Sequence, residues 1–358
     1  MYRNQTRYSA RGVDLVLRVG IIGCGANGWG HFNHLVTFKD VQVTALYDVN
    51  PEAPRSWLEK SEVQPKPQIV AELSRMWELV DAVWVTSPPG VHYEHSIAAL
   101  RAGKHVFCEK PIALELHHAD EMVRVAREKG LTYFIGHSHR FQPSAYLFAD
   151  IVRSGKIGEI SSLWATRIAN PAFTQAGWRT EITMCGGMLM ETFTHQLDWM
   201  RLVAGEIKEV YMKEKTVTPT VNFEDHAVGI IEFENGAIGE FLSSWSSGLS
   251  RMEWGVIGAK GAASLSPDKK QIIISYRDGT KETVDAPLVD TKLVEDRLFV
   301  ESVLEGKPLP FDASDSAKTL EAHVALKLSA REGRPIRLPL TDRSLGIPQF
   351  AVERRQAV

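Results

Sequence analysis

Residues 16–48 constrain the fold of this chain more than any other segment. Two apolar runs, residues 16–22 and 41–47, flank a glycine-rich turn and a stretch long enough for one helix. This order predicts a β-strand, an α-helix and a second, parallel β-strand, because such a turn lets the chain reverse over the sheet through a helix. The segment therefore predicts the start of a parallel sheet covered by helices.

The turn itself reads GCGANG and predicts a dinucleotide-binding loop. In the GxGxxG spacing, Gly23 permits the tight turn, Gly25 lets a pyrophosphate approach the backbone, and Gly28 lets the helix pack closely on the strand. The N–H groups of Ala26 and Asn27, at the start of the helix, are then available to phosphates. A plain glycine turn has the same letters, but the flanking strand and helix and an acid 20 residues beyond Gly28 favour a dinucleotide.

That acid is Asp48, at the end of the second strand. Its carboxylate can accept hydrogen bonds from both ribose hydroxyls of an adenosine and would repel a 2′-phosphate, so NAD is predicted in preference to NADP. Arg55 lies close enough in sequence to leave NADP open. An Asp before Asn50-Pro51 can also simply begin a turn, and the sequence leaves this alternative open as well.

The alternation of strand and helix continues to about residue 135. Further strands are predicted at residues 81–86, 105–108 and 131–135, and helices at residues 92–102 and 115–128. Regular alternation predicts an α/β fold with a doubly wound parallel sheet, the Rossmann arrangement, in which ligands bind at the carboxyl ends of the strands. Five candidate residues fall at that edge: Ser87, Pro88, His92, Glu109 and Lys110. For His92 a helix-capping role, and for Glu109 a structural salt bridge, are equal alternatives to cofactor contact.

The second half has a different pattern. Helices are predicted at residues 143–153 and 188–203, and a strand at residues 160–168. Several later strands are separated by the hairpin signals Asn235-Gly236 and Asp278-Gly279, which predict antiparallel pairing. We expect a separate α+β domain with an open, mostly antiparallel sheet. Residues 1–14 are predicted to be a flexible extension, 15–137 a dinucleotide-binding domain and 138–358 a substrate-binding and oligomerisation domain, with helices near 293–305 and 314–330 packing back on the first domain.

One stripe of the predicted helix 188–203 carries polar residues. Glu191, His195 and Asp198 occur at i, i+4 and i+7 and so share one face of a helix that is otherwise rich in apolar side chains. A solvated helix face would show the same spacing. A metal site is not predicted, because no further His or Cys lies close by.

Bulk properties exclude other classes of protein. The net charge is −3 and no basic run occurs, so nucleic acid is not an expected partner. The sequence contains no run of some 18 apolar residues, so no membrane span is predicted. Only three cysteines occur, far apart, which favours a reduced compartment and predicts a cytoplasmic protein.

The chain resembles a known family in four segments. In chain order these are GCGANG, TSPPGVHYEHSIAALRAGKHVFCEKP, GHSHRFQP and GGMLMETFTHQLD. Over nearly its whole length it resembles the glucose–fructose oxidoreductase, inositol dehydrogenase and MocA family. The resemblance implies oxidation of a ring hydroxyl of a sugar, glycoside or inositol with NAD(P), or the reverse reduction, and a homo-oligomer, dimer or tetramer, formed through the second sheet. It also implies that Lys110 and His195 are the catalytic pair and that the Lys110–Pro111 bond is cis. Where the family usually has Asp, this chain has Glu191.

The residue types suit that chemistry. Hydride leaves a carbinol carbon only as the hydroxyl proton is lost, so a base, His195, and a cation near the oxygen, Lys110, are both needed. Glu191 or Asp198 can fix the tautomer of the imidazole. The predicted substrate contacts are Arg140, Trp178, Arg179 and Asp198, with core packing an equal alternative for Trp178. Two other functions stay open: a glycosidase that uses NAD for transient oxidation and elimination, and a non-catalytic regulator, which the presence of both Lys110 and His195 disfavours.

Overall fold

The computed structural model describes residues 16–170 and 177–354. The predicted flexible extension, residues 1–14, lies outside these residues. None of the helices within them is both long and apolar enough to cross a bilayer.

The first described sheet is parallel and has the strand order β3-β2-β1-β4-β5-β6. Its strands are β1 (Leu17–Ile22), β2 (Val41–Tyr47), β3 (Gln68–Ile69), β4 (Ala82–Val85), β5 (His105–Glu109) and β6 (Tyr133–Gly136). The helices between them are α1 (Ala26–Leu35), α2 (Glu52–Lys60), α3 (Leu73–Met76), α4 (His92–Arg101) and α5 (Leu116–Lys129). The strand order reverses between β1 and β4, which opens a crevice at their carboxyl ends. This sheet confirms the predicted doubly wound fold.

The second described sheet has nine strands in the order β14-β13-β12-β11-β7-β10-β9-β8-β15. Its strands are β7 (Ile160–Ile168), β8 (Ile207–Lys215), β9 (His226–Phe233), β10 (Ile238–Ser244), β11 (Arg251–Gly258), β12 (Gly261–Leu265), β13 (Gln271–Tyr276), β14 (Lys281–Asp285) and β15 (Ile336–Arg337). Its neighbours are antiparallel except β7 and β10, which run parallel. Gly236 and Gly279 occupy the two predicted hairpin turns with φ of +85° and +88°. The open, mostly antiparallel sheet is therefore confirmed.

Helices cover one face of this second sheet. The helices after β6 are α6 (Pro143–Arg153), α7 (Ile182–Cys185), α8 (Thr194–Ala204), α9 (Thr291–Glu305) and α10 (Ala313–Glu332), and those that cover this face are α6, α8 and α10, which contact its strands. The opposite face, which we call the outer face, exposes the aliphatic side chains of Val228, Ile230, Ile238 and Ile257. Alternation along the strands places these residues on one side and the core residues on the other.

The helix predicted at residues 188–203 differs from the prediction at its start. Residues Leu189–Phe193 form a π-helical turn, and the regular helix α8 begins at Thr194. The two segments continue one another, so that Glu191 lies in the wide turn and His195 in the first turn of α8. Such wide turns are rare and are frequent at functional sites.

Helix α9 returns to the first sheet. Phe299 and Val300 enter the apolar core beneath that sheet, where the ring of Phe299 meets Trp84 edge-on at 5.0 Å between centroids. Asp296 of the same helix accepts a hydrogen bond of 2.8 Å from Nε1 of Trp84. Helix α10 packs on α5. The two last helices thus join the halves of the chain.

Candidate active site

A cleft of about 720 Å³ lies at the carboxyl edge of the first sheet, with walls from both halves of the chain. From the first half it is lined by the glycine turn, the end of β2, the segment after β4 and the end of β5. The second half contributes Trp178, Arg179, Glu191 and His195. Most residues that the sequence singles out therefore meet in one space.

The glycines of the turn have two different roles: two of them allow close packing, and one leaves space for a ligand. A Cβ on Gly23, which has φ +99°, would lie 2.5 Å from the backbone nitrogen of Ser87, and one on Gly28 would lie 2.4 Å from the carbonyl oxygen of Gly23. These two glycines are needed by the fold itself. A Cβ on Gly25 would meet nothing within 4 Å. Gly25 therefore keeps clear the space at the start of α1, beside Ala26 and Asn27, which fits a pyrophosphate held by helix N–H groups.

Asp48 is held rigidly at the lip of the cleft. Its Oδ2 accepts a 2.7 Å bond from the N–H of Cys24, and its Oδ1 accepts one of 2.9 Å from the N–H of Asn50. Arg55 forms an ion pair with Glu52 and does not line the cleft. The charge at this position is consequently negative, which suits ribose hydroxyls and opposes a 2′-phosphate.

Ser87, Pro88 and His92 line the next part of the cleft. The hydroxyl of Ser87 lies 2.9 Å from Nδ1 of His95. The ring nitrogens of His92 lie 2.7 Å from the carbonyl oxygen of Pro111 and 2.8 Å from that of Ser87. Burial lowers the pKa of His92, so the ring is neutral and donates to one carbonyl at a time. His92 thus ties the segment after β4 to the segment after β5, where the Lys110–Pro111 bond is cis.

Glu109 ends β5 and borders a buried group of charges. Its Oε1 accepts a 3.0 Å bond from Nε2 of His31, and Nδ1 of His31 donates to Asp296 at 2.6 Å. Burial opposes the charge on His31, but Asp296 and Glu109 outweigh it and raise its pKa to about 10. Burial likewise opposes ionisation of Glu109, but His31 lowers its pKa to about 2. Glu109 is therefore an ionised carboxylate that an imidazolium fixes in the cleft wall.

Lys110 connects the two halves of the chain inside the cleft. Its ammonium Nζ donates a 2.6 Å bond to the main-chain carbonyl of Glu191 in the π-helical turn and lies 3.5 Å from Oε2 of the same residue. The other carboxylate oxygen of Glu191 lies 3.6 Å from Nε of Arg179. Glu191 is thus set between two cations, and the structure does not place its carboxylate against His195.

His195 is held by stacking rather than by a carboxylate. Its ring lies parallel to that of His139, with centroids 3.9 Å apart and an interplanar angle of 15°. Its Nδ1 is buried and has no hydrogen-bond partner among the described residues, which leaves Nε2 for the cleft. Burial lowers the pKa of His195 well below 6.5, and the charges of His139 and Lys110 act in the same direction. At neutral pH this ring is an unprotonated base.

Arg140 and Asp198 lie elsewhere, contrary to the expectation that they contact substrate or orient the imidazole. Nε and Nη2 of Arg140 donate to the Asp198 carboxylate at 2.5 and 2.7 Å, and Nη2 also pairs with Asp315. Both side chains are buried and neither lines the cleft. Asp198 lies one turn beyond His195 on α8, outside the cleft, where this fork of hydrogen bonds uses Nε and Nη2 of the guanidinium. The pair joins the turn after β6 to α8 and α10.

Trp178 and Arg179 do line the cleft. The guanidinium carbon of Arg179 lies 4.0 Å from the centre of the Trp178 ring, a cation–π contact. Trp178 also packs on the edge of the apolar core, as the packing alternative predicts, and its contact with substrate stays a prediction.

Family models match both halves of the chain. Residues 17–137 match the model described as "Oxidoreductase family, NAD-binding Rossmann fold", and residues 147–264 match the "GFO/IDH/MocA C-terminal domain". The chain belongs to the Gfo/Idh/MocA family. This confirms the predicted family, its NAD-binding domain and its class as an oxidoreductase.

Several relatives of this Gfo/Idh/MocA member carry named activities. It is 28% identical to myo-inositol 2-dehydrogenase of Thermotoga maritima over 90% of this chain and 98% of the relative. It is also 28% identical to D-glucoside 3-dehydrogenase of Escherichia coli over 90% and 97% of the two chains. A levoglucosan dehydrogenase solved in complex with NADH has the same fold, with a TM-score of 0.82, 21% identity and coverage of 90% and 99%.

The sequence of this family member does not predict two further residues, one in the cleft wall and one behind His195. Lys292, in the first turn of α9, lines the cleft and donates from Nζ to the side-chain oxygen of Asn27 in the glycine turn. Its one sequence signal is a cation at a helix N-terminus, where the helix dipole disfavours positive charge. His139 lies in the short turn after β6, next to Arg140, and the segment GHSHRFQP marks its region but not its stacking on His195.

Proposed function

We propose that this protein is an NAD-dependent dehydrogenase that oxidises a ring hydroxyl of a sugar, glycoside or inositol, or runs the reverse ketone reduction. One observation carries the proposal: Lys110 from the first half and His195 from the second line the same cleft as the glycine turn. An ammonium and a neutral imidazole beside a nucleotide loop are the groups that alcohol oxidation requires. The relatives named for inositol and glucoside dehydrogenation support the substrate class.

The residues present fit the cofactor. Gly25 and the start of α1 would hold the pyrophosphate, Asp48 the adenosine ribose, and Glu109 the nicotinamide ribose. NAD, when bound, supplies the acceptor for the hydride that leaves the carbinol carbon. Lys292, close to Asn27, adds a positive charge beside the phosphate position.

The chain's own groups manage the proton and the oxygen. Nε2 of His195 takes the hydroxyl proton, because burial and neighbouring charges keep the ring unprotonated. Lys110 donates one N–H to the main-chain carbonyl of Glu191 and a second, at 3.5 Å, to its Oε2, which leaves the third N–H for the substrate oxygen. In the reverse direction protonated His195 returns the proton to the oxygen. Glu191 acts as the residue that positions Lys110.

The entrance of the cleft suits a polyhydroxylated ring. The indole of Trp178 offers an apolar face for the C–H side of a pyranose, and Arg179 offers donors for hydroxyl groups. Both residues lie in the short 3-10 turn Gly177–Thr180, and binding residues often occur in such irregular segments.

We also propose a homo-oligomer, a dimer or tetramer, in the cytoplasm. The outer face exposes Val228 and Ile230 on β9, Ile238 on β10 and Ile257 on β11, with Glu232 and Glu240 opposite Ile238 and Ile230, and a group of exposed aliphatic side chains on one sheet face supports an interaction site there. The three cysteines are buried free thiols, which agrees with a reducing compartment.

The test is a panel of sugars, glycosides and inositols, incubated with NAD or NADP and followed by NADH absorbance. We expect stoichiometric NADH with at least one member and NAD preferred. Lys110→Met and His195→Gln should each lower kcat/KM about 10²-fold or more while NADH affinity stays nearly unchanged. Lys129→Met and His117→Gln, two exposed positions, are the matched controls.

Two outcomes would contradict the assignment. Unaltered turnover in either active-site variant would remove Lys110 or His195 from the mechanism. Release of an aglycone without net NADH would establish instead the transient oxidation and elimination of a glycosidase.

A further inference from the structure

Arg167, near the end of β7, is a half-buried cation that lacks a carboxylate partner among residues 16–170 and 177–354. Burial alone lowers its pKa, with no acid offsetting the effect. The nearby segment 171–176, PAFTQA, contains no acidic residue. Other half-buried or buried arginines, Arg140, Arg201 and Arg297, each form ion pairs with Asp or Glu. An unpaired guanidinium in such surroundings costs free energy, which calls for a compensating ligand.

Arg167 is not among the residues that line the cleft, but its position in the sheet brings its charge close to the cleft wall. Its side chain shares a face with those of Leu163 and Ala165, which are buried under α8, the helix that carries His195. On the adjacent strand β11, Met252 pairs with Arg167 and Trp254 with Ala165.

The aromatic residues complete this connection. The ring of Trp254 meets His139 edge-on at 6.3 Å between centroids, and His139 stacks on His195. Arg167 therefore lies two residues along β7 from Ala165, whose partner Trp254 contacts His139, the residue that stacks on His195. In agreement, its charge contributes to the lowered pKa of both His139 and His195.

A second cation lies at the same end of the sheet. Lys269 occupies the turn between β12 and β13, and the pairing of β12 with β11 places that turn at the same end of the sheet as Met252, with β11 between Lys269 and Arg167. Lys269 is half-buried and has no carboxylate partner in the described part of the chain. The one acid of the turn, Asp268, accepts hydrogen bonds from Ser266 and Lys270 instead. The charge of Lys269 also lowers the pKa of His139.

We propose that Arg167 and Lys269 form a subsite for an anionic group, a carboxylate or a phosphate, carried by the sugar or cyclitol whose hydroxyl faces His195. This rests on the proposed dehydrogenase function and narrows it to acidic substrates. The planar fork of Arg167 binds two oxygens of such a group, and Lys269 adds a point charge. The reacting hydroxyl and the anionic group of the substrate then occupy neighbouring positions along the second sheet.

The test compares substrates that differ only in charge. Glucose, glucuronate and glucose 6-phosphate, and galactose with galacturonate, are assayed with NAD for kcat/KM in the wild type, Arg167→Gln and Lys269→Gln. We expect the wild type to prefer an anionic member by at least about tenfold, and Arg167→Gln to lose that preference while its rate with the neutral sugar changes less than about threefold. The uronate and phosphate arms identify which anion the subsite takes.

Arg251→Gln is the matched control. Arg251 lies at the same end of β11 but on the outer face, paired with Glu253, so its removal should leave the preference intact. Thermal unfolding separates a structural role: loss of an unpaired cation should leave Tm unchanged or raise it. If Arg167→Gln changes kcat/KM by the same factor for neutral and anionic sugars, the charge serves only to tune His195 and the subsite is refuted.

Calorimetric titration keeps this proposal separate from the dehydrogenase function. If no member of the panel yields NADH, the proposed reaction fails, but glucuronate and glucose 6-phosphate can still be titrated into the NAD-saturated protein. Binding of either anion that Arg167→Gln weakens at least about tenfold supports the subsite. Equal binding of glucose and both anions by the wild type overturns it.

Discussion

The rings of His139 and His195 lie 3.9 Å apart and nearly parallel, although one follows the first sheet and the other begins a helix of the second half. Burial lowers the pKa of His139 to about 4, with Lys110 and Arg167 acting in the same direction. Two neutral imidazoles can stack without repulsion, whereas two imidazolium ions could not. The stack therefore holds the base in place and keeps it unprotonated.

This arrangement predicts the pH dependence of turnover. The base must be unprotonated, so kcat/KM should fall as the pH drops through the pKa of His195, which lies well below 6.5. Lys110→Met removes a positive neighbour and should move this acid limb to higher pH, in addition to its loss of rate. Lys129→Met should leave the limb in place. A wild-type limb at or above pH 6.5 would show that His195 is not the titrating base.

The space in front of Gly25 predicts a selective loss of cofactor. Gly25→Ala should weaken NADH binding at least about tenfold with little change in Tm, because the added Cβ has no protein atom within 4 Å but enters the proposed phosphate position. Gly248→Ala, in an exposed loop with equally open surroundings, should leave NADH affinity unchanged. Fluorescence titration with NADH provides the measurement, and equal affinities for both variants would count against the loop.

Asp48 predicts the choice between NAD and NADP. Asp48→Asn removes the charge that opposes a 2′-phosphate and weakens the acceptor for ribose hydroxyls, so NAD affinity should fall about tenfold and the preference over NADP should narrow. Dissociation constants for both cofactors test this. Asp278→Asn, in the exposed turn between β13 and β14, is a suitable control. An unchanged ratio would assign Asp48 to the turn alone.

Glu295 predicts how stability varies with pH. It is fully buried beside Glu109, both its oxygens lack partners among the described residues, and burial together with Glu109 raises its pKa well above 4.5. The folded state keeps this proton while the unfolded chain releases it above about pH 4.5, so the contribution of Glu295 to the free energy of unfolding should decrease as pH rises from 5 to 8. The buried histidines with lowered pKa values, such as His139 and His195, contribute with the opposite sign, so the effect of Glu295 is measured as the difference between the wild type and a variant.

The variant Glu295→Gln should flatten that decrease, since an amide needs no proton. Glu305→Gln, exposed on the same helix, should follow the wild type. Urea unfolding at pH 5, 6.5 and 8 measures the difference. Parallel curves for the wild type and Glu295→Gln would mean that the carboxyl is ionised in the fold.

The outer face predicts the site of self-association. Replacing two neighbouring residues, Val228→Lys with Ile230→Lys, places charges on the exposed side of β9 and should shift the sedimentation coefficient toward that of a monomer. The paired change Lys129→Glu with Glu128→Lys, on exposed α5, should not. An unchanged sedimentation coefficient for the Val228→Lys, Ile230→Lys variant would place the interface elsewhere.

The sequence predicts the first half of the cleft well because each of its residues directly follows a predicted strand. Carboxyl ends of parallel strands share one edge, so Ser87, Glu109 and Lys110 could be grouped without coordinates. His195 followed from its motif. In the second half, the sequence pattern indicated a helix at residues 188–203 but could not indicate the π-helical turn, since hydrophobic spacing does not distinguish a single wide turn from a regular one.

Long-range pairing set the limit of the sequence analysis. Arg140 pairs with Asp198, 58 residues away, and with Asp315, 175 residues away, and no spacing rule connects them. Lys292 reaches Asn27 across 265 residues. The sequence alone therefore predicts a substrate contact for Arg140 and no role for Lys292, because the tertiary fold determines the partner of each side chain.

The return of α9 to the first sheet bears on how the chain is made. Trp84 and Phe107 reach their final surroundings only when Phe299 packs against them, and that residue is synthesised long after the strands it covers. At about 5 to 20 residues per second, a ribosome needs roughly ten seconds or more to travel from the end of β6 to the end of α9. During that interval the nascent nucleotide-binding sheet carries an uncovered aromatic surface, which is a natural place for a chaperone to bind.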